Sequence, residues 1–169
     1  MDKLEYIPGD LVMTNGVPIG TAKDVVYRVT SSDPSKTLEL NDGTVLKGVV
    51  RLENIEGAEF GEKGYLLGDC CAWVKDIVPI PITPEILEKN GWKQKVMSRG
   101  IKNSHLVYTK SDIEEYGYFP IYIEKGIGKE FNVYPFTYNH VCTQIAYIKY
   151  VHQLHHLLFG LGIIHEMEV

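Results

Sequence analysis

No apolar run in this chain of 169 residues approaches the roughly 18 that a membrane span needs. The opening "MDKLEYIPGD" has no apolar signal core. No membrane segment and no secretory leader are therefore expected, and the cytoplasm is the expected location. Cysteine is scarce: Cys70, Cys71 and Cys142 make an odd count, with two of them adjacent. That pattern excludes a disulfide framework and offers no pair at zinc-finger spacing, so buried free thiols are expected. A charge excess of basic sign is also lacking. The net charge is −5, and it resides in residues 1–79, where 13 acids face 8 bases, while residues 80–169 hold 9 of each. Neither half has the basic surface with which a general nucleic-acid binder displaces counterions. The stretch "GIGKE", residues 126–130, lacks the glycine spacer and the Ser/Thr of a phosphate loop, and reads as a hairpin turn. There is no internal repeat and no low-complexity tract.

A 44% hydrophobic and 23% charged composition is ordinary for a globular chain, and the length suits one large domain or two small ones. The first half reads as short strands with turn punctuation. Asn15-Gly16 is a two-residue hairpin signal, because both turn positions require φ > 0, and Asp42-Gly43 is a second. In "TVLKGVVRL" Leu46, Gly48, Val50 and Leu52 share one face and Lys47 and Arg51 the other. "PIGTAKDVVYRVT" is a long strand candidate, and "AWVKDIVPIPI" a last strand with a proline-stiffened exit. No ten-residue helical pattern precedes residue 83. About five short strands fit a small barrel, since closure removes exposed edges. "GDLVMTNGVPIGTAKDVV" resembles the start of SH3-like barrels, including KOW-type modules.

"PIPIT", residues 79–83, is the joint between the halves. Thr83 is a helix N-cap, Pro84 fits the first helical position, and Glu85 complements the dipole. "PEILEKN" then makes two turns that stop at Gly91. Strand-like runs follow in "WKQKVM", "SHLVYT", "GYFPIYIEK" and "KEFNVYPF", with "VCTQIAY" a further one. From about Tyr147 to Leu161 the period becomes helical. The expected fold class is α+β: an all-β SH3-like small barrel over 1–79, then a small α+β domain over 80–169 of helix, antiparallel strands and closing amphipathic helix.

Three of six histidines fall within "YIKYVHQLHHLLFG". On a helical wheel His155 points with the apolar arc, while His152 and His156, four apart, share the polar side. Such a pair can supply two zinc ligands but needs a third, and His140, Cys142, His165 and Glu166 are the available donors. Lys149, one turn before His152, disfavours a cation there. "HEMEV" begins a metalloprotease motif, but Val169 stands where the second histidine belongs. The expected arrangement is a buried His155 with His152 and His156 at an exposed edge. A metal-dependent hydrolase on His152 and His156 is a hypothesis from another function class. The apolar arc is wide enough for part of it to face a second copy of the chain.

"WKQKVMSRGIK" holds four bases and no acid. On an exposed hairpin Lys93, Lys95, Arg99 and Lys102 would meet phosphates, with nearby tyrosines stacking on bases. Eight of eleven tyrosines lie after residue 80, among them Tyr116, Tyr118, Tyr122, Tyr134 and Tyr138. Tyrosine is also a favoured strand residue, which explains the crowding by a half-buried sheet. Cys142 with His140 is the only neighbouring thiol–base pair, and no oxyanion arrangement accompanies it.

Two segments, "PIPITPEILEKNGWK" (79–93) and "YIKYVHQLHHLLFGLG" (147–162), resemble a group of small proteins of gut anaerobic bacteria and their phages. Those pair an "IPLTxExLxxxGF" segment with a closing "YVHQLQNLYFAL" helix. This chain departs at Pro84 and Trp92, and carries His155 and His156 where the group has glutamine and asparagine. Amides are poor zinc ligands, so the comparison opposes a metal role. The resemblance implies phage or mobile-element ancestry and assigns no activity. The expected function is a non-enzymatic interaction protein without cofactor, whose barrel presents loops around Asn15-Gly16 and Asp42-Gly43 to a protein partner. Nucleic-acid binding through the four bases is the alternative.

Overall fold

In β3 (Val45–Asn54), Leu46, Gly48, Val50 and Leu52 are buried while Val45, Lys47, Arg51 and Glu53 are exposed. That two-residue period places one face of a strand on a core. β3 belongs to a computed structural model that describes residues 5–55, 61–66, 70–98, 104–110, 121–135, 144–163 and 165–169. The chain is α+β, with antiparallel sheets and, among the described residues, two α-helices, and divides into two compact units, Met1–Ile80 and Pro81–Val169.

The first unit is a sheet of β1 (Leu11–Thr14), β2 (Tyr27–Glu39), β3, β4 (Cys70–Trp73) and β5 (Ile77–Pro79). Its order is β4-β3-β2-β1-β5 and every pairing is antiparallel. No pairing joins β4 to β5 among the described residues, so the sheet is not closed. A single 3-10 turn, Val74–Asp76, links those two strands. Tyr6, Val12, Tyr27, Val29, Val50, Leu52, Ala72 and Ile77 form the core. Pro34 lies inside β2 where the β2–β3 register shifts between Asp33 and Thr37, the kind of irregularity at which a strand tolerates a residue without an N–H.

The two turn signals have different outcomes. Asp42-Gly43 lies in the β2–β3 hairpin: Leu40 N–H donates to the Thr44 carbonyl at 2.8 Å, and Gly43 is left-handed at φ +82°. Asn15-Gly16 is not a two-residue hairpin. Gly16 has φ +80° but Asn15 is not left-handed, and β2 starts only at Tyr27. Asn15 is instead held in place by Asp76, and residues 18–26, expected as strand, are loop.

In the second unit α1 (Pro84–Lys89) starts as the sequence indicates. The Thr83 hydroxyl accepts from Ile86 N–H at 3.3 Å, and proline opens the first turn. It ends in a Schellman arrangement: Gly91 at φ +81° donates to Glu88 O, and Trp92 donates to Leu87 O, both at 3.0 Å. The sheet has the order β10-β9-β8-β7-β6, from β6 (Lys93–Ser98), β7 (Ser104–Thr109), β8 (Ile121–Lys125), β9 (Phe131–Pro135) and β10 (Ala146–Ile148). The register puts Tyr108, Ile121, Ile123, Phe131, Val133 and Ile148 on one face, and all are buried.

The closing helix α2 spans Val151–Gly160, not Tyr147–Leu161. Tyr147 and Ile148 pair with Asn132 and Phe131 in β10, so the backbone ladder takes them before the helix begins. The Gln153 side chain then accepts from the N–H groups of Lys149 and Tyr150 at 2.8 and 3.2 Å, covering donors that the new helix leaves free.

Gly48 is left-handed at φ +73°, and a Cβ there would lie 2.8 Å from Val74 Cγ2. Gly43 shares the conformation but has nothing within 4 Å. Gly43→Ala is expected to cost only the backbone penalty of about 1–2 kcal/mol, and Gly48→Ala more, because Val74 must also move. Urea denaturation of both variants checks the difference.

Candidate functional site

The loop between β1 and β2 is tied down along its length. Asn15 Nδ2 donates to Asp76 Oδ1 at 2.8 Å, and Asn15 N–H to the Asp76 carbonyl at 3.0 Å. Asn15 Oδ1 accepts from Val17 N–H at 2.9 Å, an Asx turn. The Thr21 hydroxyl accepts from Thr14 and donates to the Pro18 carbonyl, each at 2.8 Å. The Tyr27 hydroxyl accepts from Ala22 N–H at 2.9 Å, and Cys70 Sγ lies 3.1 Å from the Ile19 carbonyl. Asp76 and Thr14 are themselves buried. On this braced backbone Ile19 is 95% exposed and Val17 69%.

The β2–β3 hairpin tip repeats the theme more weakly. Leu38, Leu40 and Val45 are exposed around it, and Thr44 N–H donates to Asp42 Oδ1 at 2.9 Å. The Thr44 amide and hydroxyl hold the Asp42 carboxyl below the usual carboxylate range. Ser35 does the same for Asp33 through its hydroxyl and its N–H.

The histidines sit differently from the wheel expectation. His152 is buried rather than at an exposed edge, while His155 and His156 are half-buried. Because the helix begins at Val151, His152 falls in its first turn, with the Tyr150 ring stacked on it at 5.7 Å. The His152 and His156 rings meet edge to face at 5.6 Å, and Lys149 Nζ stands 5.4 Å over Tyr150. Among the described residues no group of three or more His, Cys, Asp or Glu is placed to hold a metal ion. His140 and Cys142 lie outside the described residues. Of the helix's wide apolar arc, Val151, Leu154 and Leu158 are buried and Phe159 is 65% exposed.

Lys93 and Lys95 are exposed on one face of β6, an edge strand among the described residues. Arg99 and Lys102 lie outside the described residues, as do Tyr116, Tyr118 and Tyr138. Tyr122 is buried and stacks on Tyr134 at 5.0 Å, so it serves the sheet rather than offering a free ring.

One cluster escaped the sequence reading. Asn90, buried at the end of α1, donates through Nδ2 to the carbonyls of Ile86 and Glu168 at 2.7 Å each. Its Oδ1 accepts from Glu168 N–H at 2.9 Å and lies 3.3 Å from His165 Nε2. Buried Lys110 donates to the Asn90 carbonyl at 2.9 Å and lies 3.3 Å from the His165 ring nitrogens. A cation at a helix C-terminus faces the negative end of its dipole. His165, counted among possible zinc donors, is thus part of a structural clamp. The signal available in sequence was the Asn-Gly pair closing α1, but its partners are 75 and 78 residues away.

No family model matches the chain, and neither a curated protein nor a solved structure matches it.

Asn90→Ala removes both side-chain contacts to the Glu168 backbone at once, while the Ile86 carbonyl keeps the Asn90 N–H, and is expected to cost roughly 2 kcal/mol or more by urea denaturation. The thiols give a second prediction. Cys71 is exposed, whereas burial, and then the neighbouring Cys71, push the Cys70 thiol up. Cys71 should therefore alkylate faster with iodoacetamide near neutral pH, read by fragment mass spectrometry of the shared peptide. Equal rates would contradict the partial burial of Cys70.

Proposed function

We propose that the protein is a non-enzymatic interaction protein of phage or mobile-element type, and that its first unit is an SH3-like module gripping a protein partner through the 15–26 loop. The strand order β4-β3-β2-β1-β5, with a 3-10 turn before β5, supports the SH3-like reading. The observation that carries the function is the pairing of rigidity with apolar exposure in the loop. A flexible loop would fold Val17 and Ile19 inward or average their exposure. Here the hydrogen bonds to Asp76, Thr21 and Tyr27 prevent that. Burying one such side chain in an interface is worth about 1.5–3 kcal/mol, and a pre-ordered backbone loses little entropy on binding. The apolar hairpin tip at Leu38, Leu40 and Val45 offers a second contact.

A photo-crosslinking residue placed at position 19 should capture one discrete protein in the source cells. The same residue at exposed Lys63 should not. Val17→Ser should abolish capture while leaving stability within about 0.5 kcal/mol, as is usual for surface positions. Identical crosslinking patterns from positions 19 and 63 would end the reading.

A further inference from the structure

We propose that the free side of β6 is a strand-addition site for an extended peptide bearing two acidic side chains two residues apart. This surface lies in the second unit and is separate from the 15–26 loop. Among the described residues β6 has one strand partner, β7, and its other side has none. An edge of this kind presents alternate N–H and C=O groups in a row, which another strand satisfies at matching intervals. Lys93, Gln94, Lys95 and Val96 are all exposed. Lys93 and Lys95 share a face about 6.6 Å apart, the two-residue repeat of a strand. An added strand with carboxylates at i and i+2 sets each opposite one lysine. On the other face Val96 (65% exposed) and its register partner Leu106 (48%) make an apolar pair beside the edge. The added strand's apolar residue next to Val96 covers it.

Two further considerations favour this occupant over others. A second copy of the chain fits badly: paired over the same residues with faces matched, it brings Lys93 and Lys95 against their own counterparts, which repel. A nucleic acid fits less well than a peptide. It leaves the backbone row unmatched, and residues 80–169, with 9 acids and 9 bases, supply no broad positive field.

The test is to pan a displayed random octapeptide library on the full chain. Selected sequences should carry acids at i and i+2 next to an apolar residue. A fluorescein-labelled selected peptide should lose about tenfold or more in affinity for K93E/K95E, which exchanges both attractions for repulsions. Methylating the amide nitrogens on the edge-facing side of that peptide should abolish binding, which a purely electrostatic contact would not show. The doubly substituted protein should keep its far-ultraviolet circular dichroism, since both side chains are exposed. A selection without the alternating acidic pattern overturns the proposal. So does binding that survives charge reversal or amide methylation. So does a labelled oligothymidylate that binds through the two lysines while the selected peptides do not.

Discussion

The first unit is organised by the seating of Val74 on Gly48. A side chain at position 48 would bring its Cβ to 2.8 Å from Val74, so the missing side chain is what lets the 3-10 turn lie on β3. That seating fixes Asp76 at the end of the turn. Asp76 is buried and accepts from Asn15 through both side chain and carbonyl. β5, which follows, pairs with β1 at Ile77–Pro79, so the end of one strand and the exit of the other are held together. The exposed Ile19 and Val17 are therefore a consequence of packing between two residues far along the chain, Gly48 and Val74. Asp76 transmits it, because a buried carboxylate with a good donor is costly to leave unpaired.

The second unit rests on an analogous device with a neutral side chain. Asn90 ends α1 and grips Glu168 through both N–H and C=O, which is how a short segment without its own ladder becomes fixed. A helix of six residues has little intrinsic stability, and Leu87 and Trp92, both buried, supply the packing it needs. Lys110 adds the positive end of a charge–dipole contact at the same carboxyl terminus. The consequence for function is one of position. α1 leads through Gly91 directly into β6, so the edge strand begins from a helix end that is clamped rather than frayed.

What was legible in the sequence was local. The alternation of Leu46, Gly48, Val50 and Leu52, the Thr83-Pro84 cap and the Gly91 stop each depend on residues within a few positions, and each lies where expected. The α+β class followed from the same signals. Two of the errors share a physical cause, which is competition from a distant partner. Asn15-Gly16 looked like a hairpin turn, but Asp76 claims Asn15 from 61 residues away. Tyr147 and Ile148 fitted a helical wheel, but β9 claims their backbone first. His152 was misplaced because its burial depends on where the helix begins and on the Tyr150 ring beside it. The Asn90 clamp had no chance of being read, since nothing near Asn90 indicates Glu168. The loop after Asn15 was expected to face a partner, which stays a proposal, and neither its bracing by Asp76 nor the exposure of Val17 and Ile19 could be read from local residues.

The two proposed surfaces differ in the physics that would hold a partner, and that difference separates them experimentally. Ile19 and Val17 act by losing contact with water, a force that added salt does not screen. Lys93 and Lys95 act across water at an exposed edge, where screening sets in over about 8 Å at physiological ionic strength. Backbone pairing along β6 is insensitive to salt, so a partner there retains a register but loses its electrostatic attraction as salt rises. Binding that weakens only in part with salt belongs to β6, and binding indifferent to it belongs to the loop. The uneven charge of the chain reinforces this: the acidic excess lies wholly in residues 1–79, so an acidic peptide is repelled by the unit that offers the apolar loop and drawn to the edge of the neutral one.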